Sequence, residues 1–175
     1  TNGSFEDWFT VFRDQHGDEV ATEWLRDMVK NDARYYPNNR AIVEAAGRGE
    51  IDMGLVNHYY QYQEAEARGD EHRAVNHNFE PDDIGSLLII TAATILETAQ
   101  DPDAANELIA YLLTPQAQSY FTNKTFEYPL GAGVAANPKL PALTALEIGT
   151  VDFDSLGGGF QETERIVRES GILAG

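Results

Sequence analysis

Asn57-His58-Tyr59-Tyr60, inside GLVNHYYQYQ, sets an amide, an imidazole and two phenols side by side after a short apolar run. A phenol that loses its proton becomes a hard, anionic oxygen donor. Such a donor suits a small, highly charged, oxygen-seeking ion such as Fe³⁺. A free tyrosine has a pKa of about 10, so the ion itself must drive the deprotonation. Two neighbouring phenolates would cancel much of a ferric charge, and Asn57 could hydrogen-bond a ligand or a bound anion beside them. His58 reads as a surface or supporting side chain rather than as a ligand. The plainer alternative is an ordinary aromatic patch, because Tyr pairs are common and their polar tips suit interfaces.

A second candidate is TNGSF at the start of the chain. Gly3 permits a tight turn, which would leave the amides of Gly3, Ser4 and Phe5 facing outward at the start of a helix. With the Ser4 hydroxyl, they would form an anion seat for phosphate or carbonate. Such an anion could fill coordination positions on a metal held by Tyr59 and Tyr60. Read alone, TNGS is mostly a capping turn. Covalent chemistry finds no comparable constellation. Ser4 lacks a G-x-S-x-G context, the four histidines form no H-E-x-x-H, and Asp82-Asp83 reads as a loop or helix cap. A non-enzymatic protein is expected.

The elements that must position these groups follow from hydrophobic spacing. Phe5, Trp8, Phe9 and Phe12 predict a first helix with Ser4 as its cap, and Val20, Trp24, Leu25 and Met28 predict a second. Asn38 or Asn39 can cap a short helix from Arg40 to about Ala46. Ile51, Met53, Leu55 and Val56 predict a short buried strand that ends at the tetrad, followed by a helix closing near Gly69. SLLIITAATILE predicts a second buried strand. Asp101-Pro102 opens a helix with Ala105, Leu108, Ile109 and Leu112 inward, and Thr114-Pro115 opens another. YPLGAGVAANPKLPAL reads as a connector or extended wrap, and FQETERIVRESGIL as a last helix centred on Ile166 and Val167. Strands alternating with helices predict an α/β fold.

Composition narrows the partners. The 175 residues carry 29 acidic and 12 basic side chains, a formal net charge of -17, which repels nucleic acid phosphates and anionic membranes and favours a cation at long range. With no cysteine, thiolate and disulfide chemistry are excluded. The sequence has no run of the roughly 18 apolar residues that a membrane helix needs.

TNGSF, YPNNRAIVEAAGRGEIDMGLVNHYY, DPDAANELIAYLLTPQAQSYF and TFEYPL, in this order, resemble the later part of the ferric-iron-binding solute receptors of ABC importers. The resemblance implies a type II periplasmic-binding-protein-like α/β fold, with the first lobe absent from this chain. Residues 1–90 would form the second-lobe core, 91–140 would pack on the first lobe, and 141–175 would return to the second lobe. It further implies Tyr59 and Tyr60 as metal ligands, with Asn2, Gly3, Ser4, Asn39 and Asn57 around a synergistic carbonate or phosphate. The implied role is capture of Fe³⁺ for a membrane ABC permease. The setting would be periplasmic or extracellular, with an anchor to the membrane as one option through an N-terminal segment ahead of Thr1. A small organic-anion receptor of the same fold, or a non-catalytic structural or partner-binding domain, are the alternatives.

Overall fold

The computed structural model describes residues 3–80, 83–146, 151, 156 and 159–174. The chain divides into two compact units, Thr1–Ile89 with Glu147–Gly175, and Ile90–Leu146. Its α-helices are α1 (Gly3–His16), α2 (Asp18–Lys30), α3 (Asn39–Arg48), α4 (His58–Arg68), α5 (Pro102–Leu112), α6 (Pro115–Tyr120) and α7 (Phe160–Ser170).

The first unit is built on an aromatic core. Phe9, Phe12, Ala21, Leu25, Ile166 and Val167 are buried where α1, α2 and α7 meet, and Phe5, Trp8, Trp24, Ile84 and Ile172 pack around them. Each large side chain so buried contributes roughly 1.5–3 kcal/mol. Trp8 stacks on Phe12 at 5.5 Å between centroids and meets Trp24 at 5.4 Å, while its indole N–H donates to the Ile84 carbonyl at 2.9 Å. Gly17, at φ 84° and ψ 156°, supplies the positive-φ conformation that separates α1 from α2. Arg13 then ties the three helices together. Its Nε donates to Asp18 at 2.9 Å, and its Nη1 to the Gly159 carbonyl and Thr163 Oγ1, each at 2.8 Å.

The pair α3–α4 is held differently, by ions. Glu64 is buried on α4, and its carboxylate takes Arg40 at 3.2 Å and Arg68 at 2.9 Å. A buried carboxylate is tolerable only with partners of this kind. Asn38 caps α3 by accepting from the Ala41 amide at 2.9 Å, so Asn38 rather than Asn39 fills the capping role.

In the second unit, Asp101 caps α5 and Thr114 caps α6, accepting from Ala104 and Ala117 amides at 2.9 and 3.3 Å. A π-helical turn, Phe121–Thr125, continues α6. Buried Gln118 organises the loop that follows: its Oε1 accepts from the Leu130 and Gly131 amides at 2.6 and 3.2 Å, and its Nε2 donates to the Leu112 carbonyl at 2.8 Å. Thr122 likewise accepts from the Asn137 amide at 2.7 Å.

The expectation of an α/β fold is overturned. Among the described residues there is no β-strand, and the elements are helices joined by extended segments. Neither apolar run read as a strand forms a ladder. Met53 is 85 % exposed and Leu96 71 % exposed, so neither segment is buried as expected. A strand exists only through hydrogen bonds to a neighbour, and these runs find none among the described residues. The inward face expected for α5 is also corrected, since no residue of α5 is buried and Leu108 is 58 % exposed.

Candidate metal and anion site

The tyrosine pair lies on a helix start rather than on a strand end. Asn57, at φ -70° and ψ 138°, is the extended residue before α4, and His58, Tyr59 and Tyr60 form the first turn. Successive helical residues diverge by roughly 100°, yet the two phenol rings remain together, at 4.5 Å between centroids. His58 meets Tyr59 edge-on at 5.5 Å and Tyr62 at 6.4 Å, which makes it a packing neighbour of the phenols.

Asn57 joins this helix start to another. Its Nδ2 donates to Tyr59 OH at 2.9 Å and to Ser4 Oγ at 3.1 Å. Ser4 sits in the first turn of α1, not at its cap, because α1 begins at Gly3. Two helix N-termini, each the positive end of a helix dipole, thus meet at one polar cluster. That field favours an anion. Asp7, in the next turn of α1, opposes it: burial first, and then Glu6 beside it, push its carboxyl above the usual range and towards the neutral form.

Ser4, Asn57, Tyr59 and Tyr60 are therefore brought together. Gly3 lies at the start of α1 beside Ser4. Asn39 is buried in the first turn of α3, which packs on α4, but no hydrogen bond among the described residues joins it to Ser4, Asn57 or the tyrosines. Asn2 and Asp82 lie outside the described residues. Asp83 accepts from the Gly85 amide at 2.7 Å, the cap role read from its sequence.

Two supports of this site carried no signal in the sequence. Asn76 Nδ2 donates to the His58 carbonyl at 2.9 Å, and Gln61 Nε2 donates to the Ala74 carbonyl at 3.1 Å, so residues 74–76 pin the start of α4. Gly54 brings the incoming chain against α3 so closely that a Cβ there would lie 2.1 Å from Ile42 Cγ2.

Among the described residues no three His, Asp or Glu side chains group to hold a metal ion. The hard donors that converge here are phenols. A groove of about 420 Å³ lies at the other end of α1, around Thr10, Arg13 and Asp18. Its one guanidinium is already engaged by Asp18, Gly159 and Thr163, which makes it structural. No helix among the described residues is long and apolar enough to cross a membrane.

Comparison with known proteins places the chain in a family. Residues 4–148 match the family model described as bacterial extracellular solute-binding protein, and the chain belongs to that family. It is 28% identical over 159 residues to the Fe(3+)-binding periplasmic protein of Serratia marcescens, covering 90% of this chain and 46% of that protein. To the major ferric iron-binding protein of Neisseria meningitidis serogroup A it is 27% identical over 173 residues, covering 98% and 52%. The crystal structure of iron-bound HitA from Pseudomonas aeruginosa superposes with a TM-score of 0.86 at 28% identity, covering 98% of this chain and 55% of that one. The chain thus spans about half the length of these relatives.

Proposed function

We propose that this chain contributes the phenolate and anion half of an extracytoplasmic ferric-iron receptor that delivers its cargo to an ABC permease. The observation that carries the reading is the Asn57 bridge, which sets Tyr59 and Tyr60 beside the N-termini of α1 and α4. The names of the relatives point to the same cargo. Tyr59 and Tyr60 bind Fe³⁺ as phenolates. Gly3, Ser4 and Asn39, with Asn2 beside them, hold carbonate or phosphate, Asn57 serves the same anion by orienting the Ser4 hydroxyl, and the anion completes the charge balance on the metal. The net charge of -17 draws the cation in from solution. Binding and release make up the whole cycle, with no covalent step.

A first lobe of the same polypeptide supplies the remaining iron ligands. The 91–140 segment packs on that lobe, and 1–90 with 141–175 make up the second. The half-exposed Leu108, Tyr111 and Leu113 support this division, because an apolar surface of that kind calls for a cover. The receptor works in the periplasm or outside the cell. Ferric titration of the intact protein with carbonate or phosphate present tests the reading. The expected result is a phenolate-to-iron charge-transfer band that disappears when Tyr59 and Tyr60 are both replaced by Phe. A band and an affinity that survive the double substitution, or tight binding of an organic anion without any metal, would overturn it.

A further inference from the structure

Asn57 occupies the residue before α4, where an asparagine side chain ordinarily accepts a hydrogen bond from the first turn. Three other α-helix caps among the described residues do so: Asn38 for Ala41, Asp101 for Ala104 and Thr114 for Ala117. Asn57 makes no such bond. Its amide nitrogen is turned instead to two side-chain oxygens, Tyr59 OH at 2.9 Å and Ser4 Oγ at 3.1 Å. An amide NH₂ carries two N–H donors, so each oxygen receives one. The position thus forgoes the usual gain of a helix cap to hold two groups on different helices.

We infer that Asn57 is a positioning residue that couples the metal half of the site to the anion half, through one forked donor shared by Tyr59 and Ser4. This deepens the ferric-iron reading and rests on it. One N–H fixes where the Tyr59 oxygen lies and stays on that oxygen when it becomes a phenolate. A donor there stabilises the filled oxygen orbital, so charge transfer from that phenolate to iron requires more energy. The other N–H fixes the Ser4 hydroxyl at the start of α1, where the anion sits. Movement of either group is passed to the other through a rigid planar amide. Asn57 touches the phenol directly and acts on the metal only through it.

Two measurements test this. In the ligand-free protein, the Asn57 side-chain NH₂ should give two inequivalent NMR signals, one displaced by Tyr59→Phe and the other by Ser4→Ala. An Asn57 signal indifferent to both substitutions overturns the coupling, whatever the cargo. In ferric titrations at fixed phosphate, Asn57→Ala should keep the charge-transfer band, move it to longer wavelength, and weaken iron binding on the order of tenfold. Asn57→Asp, close in shape but unable to donate, should move the band in the same direction, which guards against a fold defect in the alanine variant. Ser4→Ala, which keeps the donor on Tyr59 and removes only the far end of the fork, should move the band less than either Asn57 substitution. A band unmoved by both Asn57 substitutions, or moved equally by Ser4→Ala, sinks the inference. If that band still vanishes when both tyrosines become Phe, the iron reading survives the failure.

Discussion

In the first unit α1 commits Phe9 and Phe12 to a closed aromatic core, whereas in the second unit α5 leaves Leu108 and Tyr111 more than half exposed. Both helices have an apolar stripe in their sequence. Among the described residues α1 buries its stripe against α2 and α7, whereas α5 covers its own only in part. The second unit buries a smaller apolar set, Phe126, Leu140 and Ala117, and adds polar clasps, with Gln118 and Thr122 each gripping a later loop through backbone amides. Helical periodicity creates a surface to be covered, and the rest of the fold determines whether it is covered. The candidate site is carried by the unit with the closed core.

The contrast can be broken from the core side first. Phe9 is fully buried and touches Phe5, Trp8, Phe12 and Trp24, so Phe9→Ala should cost about 3–5 kcal/mol. Both tryptophans of the chain, Trp8 and Trp24, lie in the first unit. Fluorescence-detected denaturation therefore reports that unit selectively, and its midpoint should fall sharply. A midpoint that stays put would mean the aromatic cluster is not what stabilises α1.

A smaller effect is expected from the clasp. Gln118→Ala strips partners from Leu130, Gly131 and Leu112 and should cost roughly 2–4 kcal/mol in the second unit. Helical circular dichroism should lose part of its transition early while the tryptophan signal keeps its wild-type midpoint. Coincident shifts in both signals would show that the units unfold together, and the contrast would then be one of composition only. The smallest effect belongs to Leu108→Gln, a change to another good helix former at an exposed site. In this chain it should shift thermal stability by no more than about 0.5 kcal/mol. A loss well above that would reveal a packed Leu108.

Most of the helices were legible because each depends on neighbours within a turn or two. The aromatic spacing of residues 5–12, the Asp101-Pro102 start, and the Ile166-Val167 centre identify α1, α5 and α7 directly. Ile51–Val56 and the SLLIITAATILE run misled for the opposite reason. Apolar, β-branched residues make a segment suitable for a sheet, but the sheet itself requires a second segment beside it. The amino-acid pattern holds no information on whether that segment is present.

The site divides along the same line. Residue chemistry alone raised the adjacent phenols of Tyr59 and Tyr60 and the turn around Ser4 as candidates, since donor type and local turn chemistry are properties of a few consecutive residues. Folding alone decided that Asn57 would leave its capping role and link Ser4 to Tyr59, 53 positions and 2 positions away. The same holds for the support that Asn76 gives to the start of α4 from 18 residues downstream. A hydrogen bond of 2.9 Å depends on where whole helices pack, and packing is a sum over distant contacts that no short stretch of sequence contains.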